Sequence, residues 1–126
     1  MKKKLLIAFL ILLLVPVVIY FGFPQVLYNY SITSVRKAAG LSKKVIKVDQ
    51  YSIHYLEGGQ GETILLLHGF SANKDNWPML AGSLTEKYHV VAVDLPGFGE
   101  SSKIETDSYN IASQAKRLNR IVKPLD

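Results

Sequence analysis

The sequence predicts an α/β domain preceded by a membrane-spanning helix, and three observations carry that expectation. Two short apolar runs, TILLL (63–67) and HVVAVD (89–94), look like strands buried on both faces, with a helical pattern between them. Ahead of them, VIKVDQYSIHYLEGG (45–59) alternates apolar and polar residues, as an antiparallel pair with one wet face does. Before both, LLIAFLILLLVPVVIYFGFP (5–24) carries no charge.

That first segment is about 20 residues long, so as a helix it spans about 30 Å, the hydrocarbon thickness of a bilayer. Pro16 is tolerable there if neighbours satisfy the freed carbonyl. The rival, a cleaved signal peptide, expects an apolar core of about 7–15 residues and a small-residue cleavage site, neither of which is present. Tyr20, Phe21, Phe23, Tyr28 and Tyr30 instead resemble an aromatic belt at the far interface. Residues 1–24 are therefore read as an uncleaved anchor. Lys2, Lys3 and Lys4 favour a cytoplasmic N-terminus and a periplasmic or extracellular remainder, an asymmetry weakened by Arg36, Lys37, Lys43 and Lys44.

Residues 25–43 read as a juxtamembrane linker, with a short interfacial helix as the alternative, and 44–126 as the globular part. In the latter, Asp49-Gln50 and the Gly58–Gly61 cluster punctuate the strands. Asn73 and Asp75 are candidate caps for a helix whose apolar face is Trp77, Leu80, Ala81 and Leu84. A last helix is expected over SYNIASQAKRLNRIVKP, with Ile111, Ala115, Leu118 and Val122 as its apolar stripe. Its Lys116, Arg117, Arg120 and Lys123 read as a solvated cationic face near the C-terminal end.

Of the net charge of +5 in 126 residues, three charges sit on the leading lysines, so the remainder is no basic nucleic-acid module. Cysteine is absent, which excludes disulfides and thiolate zinc sites. His54 and His89 fall in strand patterns without metal-ligand spacing, and no cofactor or metal is expected.

In an open α/β sheet, ligands gather at the carboxyl ends of the strands. Both glycine-punctuated stretches lie there: His68-Gly69-Phe70-Ser71 after the first buried strand, and DLPGFGESS (94–102) after the second. LLLHGF (65–70) followed by VVAVDLPGFGESS (90–102) resembles the front third of the α/β-hydrolase fold. With Ser71 and the downstream Trp77, it is similar to membrane-anchored lipases and monoacylglycerol-lipase-like serine esterases of bacteria. The resemblance covers residues 44–126 and continues into the leading apolar segment.

The resemblance implies ester hydrolysis of lipids through an acyl-enzyme, with the Phe70 backbone N–H as one oxyanion-hole donor. Gly69 would let the backbone bend and approach the substrate, and His68 would brace the loop through its ring nitrogens. The alternative, that His68-Gly69 only ends a strand and Phe70 fills a core, stands beside it. Asp94 is expected to hold the following loop by accepting backbone hydrogen bonds, with Gly97 and Gly99 supplying turn conformations. A triad of His68, Asp94 and Ser71 or Ser101 is rejected, because the family's nucleophile sits in a G-x-S-x-G elbow and none occurs here. Gly97-Phe98-Gly99 is no dinucleotide fingerprint, since Ser102 stands where the third glycine is needed.

Epoxide and haloalkane hydrolases of the fold usually carry proline where Ser71 stands, which tilts the choice toward esters; a C–C hydrolase stays open. On this reading the nucleophile, acid and base lie outside the 126 residues, the chain alone is inactive, and the globular part alone is poorly folded. The rival from another class is a non-enzymatic, membrane-tethered interaction or vestigial protein.

Overall fold

A computed structural model describes residues 2–125, which divide into two units meeting between Ser34 and Val35. In the first unit, helix α1 (Lys2–Gly22) contains Pro16 and is the one helix among the described residues long and apolar enough to cross a membrane. Its apolar side chains are exposed: Leu12 is 71% exposed and Phe21 76%. Helix α2 (Pro24–Ala38) occupies much of the stretch read as a linker, and its residues from Val35 onward belong to the second unit.

The second unit is built on a four-stranded sheet of order β1-β2-β4-β3. Strands β1 (Leu41–Val48) and β2 (Tyr51–Gly58) form the antiparallel hairpin expected from the alternating pattern. Their two-residue turn is Asp49-Gln50, and Asp49 adopts φ 53, the left-handed conformation such tight hairpins demand and Asp tolerates. β1 begins at Leu41, four residues before the alternation becomes visible. Buried Leu41 faces Gly58 there, while Ser42, Lys43 and Lys44 in succession hide the period.

Strand β3 (Thr63–Leu67) pairs parallel with β4 (His89–Val93), and β4 lies antiparallel against β2. β4 is the interior strand its apolar run implies. Val91 and Val93 pack on one face with Tyr51, Ile53, Tyr55 and Ile121, and Val90 and Ala92 on the other with Ala39, Leu41, Leu56 and Ala81. β3 is an edge and is only half-buried along most of its length.

The crossover helix α3 (Pro78–Leu84) is shorter than the sequence pattern suggests. A 3₁₀ turn over Lys74–Asn76 precedes it, capped by Asn73, whose side chain accepts the Asp75 N–H while Asn76 reaches back to the Asn73 N–H. Proline at the first helical position then starts α3 where its missing N–H costs nothing. Pro78 and Ala81 are its buried residues; Leu80, expected on the apolar face, is 50% exposed.

Helix α4 (Ile111–Val122) turns a different face inward from the one expected. Ile111 is 90% exposed, whereas Ile121 is buried and Leu118 packs against the same core. The reason is Arg117. It is not part of a solvated cationic face: its guanidinium lies 5.3 Å from the ring centroids of both Tyr51 and Tyr109 and 3.6 Å from Asp107. An arginine stem covering two aromatic rings rotates the inward face toward Gln114, Arg117, Leu118 and Ile121.

Candidate functional site

The parallel register sets Leu67 opposite Val93, so β3 and β4 end side by side and release His68 and Asp94 at the same edge of the sheet. The stretch from His68 to Asn73 leaves this edge, and the facing stretch from Asp94 to Ser102 leaves beside it.

His68 is buried and ties the two stretches together. Its Nε2 accepts the Leu95 N–H at 3.1 Å, so its Nδ1 carries the proton and donates to the Gly69 carbonyl at 2.8 Å. Both ring nitrogens are thus committed to the backbone. The His68 ring also meets Phe98 edge-on at 5.4 Å, and Phe98 in turn meets Phe70 at 6.2 Å.

Phe70 does not fill a core, since its residue exposure is 94%. Among the described residues its N–H has no hydrogen-bond partner, although the Ala72 N–H of the same turn bonds back to the Gly69 carbonyl at 3.3 Å. Phe70 borders an open apolar groove of about 370 Å³, whose other walls include Leu67, Leu95, Phe98, Ile111 and Leu118.

The bend in this loop is made by Ser71, at φ 59, and not by Gly69. A Cβ placed on Gly69 would meet no protein atom within 4 Å, so no neighbour in the chain requires glycine there. The space it leaves open belongs to the groove. Ser71 carries a left-handed conformation uncommon for a residue with a side chain, a local cost that the surrounding loop holds in place.

Asp94 is fully buried and accepts three hydrogen bonds: from the Lys74 N–H at 2.7 Å on Oδ1, and from Lys74 Nζ and the Glu100 N–H, each at 2.9 Å, on Oδ2. Its own carbonyl takes the Ser101 hydroxyl proton at 2.7 Å, and Ser101 Oγ accepts the His54 N–H at 2.9 Å. Neither Ser101 nor His68 is placed as a triad partner; each serves the backbone. Gly97 (φ 90) and Gly99 (φ 52) take left-handed conformations, and a Cβ on Gly99 would stand 2.3 Å from the Asp94 carboxylate. Glycine at 99 is therefore what lets the chain close over the buried acid.

Nothing in the sequence pattern marks Lys74. Its residue exposure is 1%, and its ammonium meets Asp94 at 2.9 Å, Glu100 at 2.5 Å and Asp75 at 3.5 Å. Burial pushes the Lys74 ammonium down, but the bonds to Glu100 and Asp94 and the charges of Asp94 and Asp75 outweigh it and raise its pKa. Asp75, read as a cap, is held by Arg36 through two bonds of 2.6 Å. A lysine in the polar run ANKDNW looks like any solvated charge, and only the fold reveals the carboxylates that face it.

Glu100 binds both Lys74 and Lys43 at 2.5 Å. Burial pushes its carboxyl up, yet the bonds to Lys43 and Lys74 prevail and bring it down from 4.5 to about 2. A depressed carboxylate stabilises the fold above its unfolded value, and that share is lost as pH falls from 4.5 toward 2. Because the Glu100 side chain is 45% exposed, screening trims the share to about 1 kcal/mol. An acid titration followed by the fluorescence of Trp77, the sole tryptophan, is expected to show this loss, and Glu100→Gln to flatten it between those two pH values.

His54 and His89 lie apart from the groove. His89 joins Glu57 at 2.9 Å and the Thr63 hydroxyl at 3.0 Å across strands β2, β4 and β3. Among the described residues no group of three or more His, Cys, Asp or Glu is arranged to hold a metal ion.

Comparison with known proteins adds three kinds of finding. A family model described as alpha/beta hydrolase fold matches residues 62–126. The chain is 33% identical over 93 residues to monoacylglycerol lipase abhd6-A of Xenopus laevis, covering 71% of this chain and 28% of that protein. It is 48% identical over 63 residues to Lipase 3 of Moraxella sp. (strain TA144), covering 50% and 20% respectively. Among solved structures, a membrane phospholipase A described as a bacterial virulence factor superposes with a TM-score of 0.80 at 46% identity. That match covers 99% of this chain and 41% of the other. A putative lipase from Acinetobacter baumannii AYE superposes with a TM-score of 0.75 at 36% identity, covering 79% and 34%. The chain spans less than half the length of each of these relatives.

Proposed function

Since the chain belongs to the α/β-hydrolase fold family, we propose that it carries the oxyanion-binding side of a serine ester hydrolase acting on lipid acyl esters. The observation that carries this reading is the unpartnered Phe70 N–H beside an apolar groove at the carboxyl ends of β3 and β4. A peptide N–H already free of other partners can stabilise negative charge on a carbonyl oxygen without first giving up a bond of its own. The aliphatic and aromatic walls suit an acyl chain, in keeping with relatives named as lipases and a phospholipase A.

In the reaction a serine hydroxyl attacks the ester carbonyl, and the oxygen that becomes negative accepts the Phe70 N–H. Collapse expels the alcohol and leaves an acyl-enzyme, which water then hydrolyses past the same donor. His68 holds the loop in one tautomer and stays out of the proton transfers. The nucleophile, acid and base of this scheme are not among the 126 residues, which contain no G-x-S-x-G.

Ser71 favours esters over epoxides or haloalkanes. Proline, usual at this place in those branches, is locked near φ −65° and could not adopt the φ of 59 seen here. Residues 1–24 are read as the anchor, with the N-terminus cytoplasmic and the globular part periplasmic or extracellular, which would hold the groove close to membrane lipids.

The test is hydrolysis of p-nitrophenyl esters of graded acyl length. The 126-residue chain by itself is expected to release no product above the buffer rate, and the reading frame past codon 126 to continue with a strand and G-x-S-x-G. Turnover by the 126 residues alone would overturn the assignment of roles. A stop codon directly after Asp126 would favour the non-enzymatic alternative.

A further inference from the structure

The His68–Asn73 arc carrying the Phe70 amide is fastened at both ends to one and the same facing segment. At its start, His68 accepts the Leu95 N–H. At its finish, Lys74 bonds twice to Asp94, once through its backbone N–H and once through its ammonium, and a third time to Glu100. The two clasps sit four residues either side of Phe70 or closer, and the amide between them has no bond of its own to fix it.

A buried lysine is a costly way to fasten a loop. Ion pairs taken out of water contribute little net stability, and apolar replacements of similar volume are often neutral or better. What such a pair does supply is geometry. The ammonium has three donors, and here they meet Asp94 and Glu100 from the facing segment and Asp75 from its own turn. Asp94 answers with both oxygens, so the Lys74 backbone and side chain are held by a single rigid carboxylate.

We propose that Lys74 is a positioning residue, clasping the rear of the arc to Asp94 and Glu100 so that the Phe70 N–H keeps its place beside the groove. The inference rests on the reading of that N–H as an oxyanion donor. It makes Lys74 part of transition-state stabilisation without contact to substrate. Loosening the clasp lets the amide drift, which weakens charge stabilisation but leaves the groove's grip on the acyl chain intact.

The test uses the full protein that carries this chain, in detergent, with p-nitrophenyl ester substrates. Lys74→Met is expected to lower kcat about 10²-fold, as loss of one oxyanion donor does, with KM within about twofold of wild type. Glu100→Gln, at a half-exposed site, keeps the Lys74–Asp94 pair and is expected to lower kcat by about three- to tenfold with KM unchanged. It decides the matter where Lys74→Met does not fold. Leu41→Val, buried at the end of the sheet opposite His68 and Asp94, serves as the destabilised control and is expected to keep kcat. Unchanged kcat in Glu100→Gln and in folded Lys74→Met would overturn the proposal, as would an equal fall in Leu41→Val. Exchange of the Phe70 N–H for an ester oxygen separates the two ideas: if that variant keeps full kcat, the oxyanion reading itself has failed.

Discussion

Replacing Asp94 by alanine is expected to cost the second unit about 3–5 kcal/mol of folding stability, the penalty for stripping one partner from a buried ion pair. The substitution leaves the Lys74 ammonium, 1% exposed, with Glu100 and Asp75 but without its most buried partner. It also orphans two backbone donors, the N–H groups of Lys74 and Glu100. Asp94→Asn keeps the volume and one oxygen acceptor but loses the charge, and is expected to cost about 1.5–3 kcal/mol. Denaturant unfolding of the full chain in detergent micelles, read by Trp77 fluorescence, checks both. A loss under about 1 kcal/mol for Asp94→Ala would mean that water reaches the buried ammonium.

Exchanging the Phe70 peptide N–H for an ester oxygen, by incorporating the α-hydroxy analogue of phenylalanine, is expected to lower kcat 10²–10³-fold in the full protein, about 2.7–4 kcal/mol of transition-state stabilisation. The exchange replaces the N–H by an oxygen and leaves the side chain in place, and it also makes the Gly69 carbonyl, which accepts from His68 Nδ1 and the Ala72 N–H, a weaker ester acceptor. No native hydrogen bond from this N–H is lost, because it makes none among the described residues. The weaker Gly69 acceptor is expected to cost about 1 kcal/mol, a fall of a few degrees in melting temperature, far less than the fall in rate. KM is expected to change little, since the donor acts on charge present only in the transition state. A fall in melting temperature that matches the fall in rate would point to a structural amide.

The sheet was legible because its strands differ in kind. The hairpin announces itself by period-two alternation around Asp49-Gln50, and β3 and β4 by unbroken apolar runs followed at once by His68-Gly69 and Asp94. The helices were read less well. Apolar spacing alone put Ile111 inside α4, because a tally of hydrophobic residues cannot foresee that an arginine between two tyrosines will occupy the inward face. α3 came out short because Pro78 starts it late and the preceding turn is 3₁₀.

At the site, the sequence singled out Phe70, His68 and Asp94 but not the lysine between them. Motif residues are conspicuous by their place after a strand. Lys74 becomes conspicuous only when the fold sets Asp94, twenty positions later, and Glu100 against it. Gly69 is the residue whose type suggests a bend, yet Ser71 makes it, because a side-chain residue held at φ 59 by its loop leaves no mark in the sequence.

The strand order β1-β2-β4-β3 has a consequence for vectorial synthesis. β3 leaves the ribosome before β4, the strand it bonds to among the described residues, because β4 is made later and slots between two strands already present. Until residue 93 has emerged, the nascent chain offers a lone hairpin, marginal by itself in water, and an aliphatic ribbon with nothing to pair. Folding of this region is thus gated by translation, and a pause just short of β4 would leave TILLL exposed to whatever chaperone or neighbour arrives first.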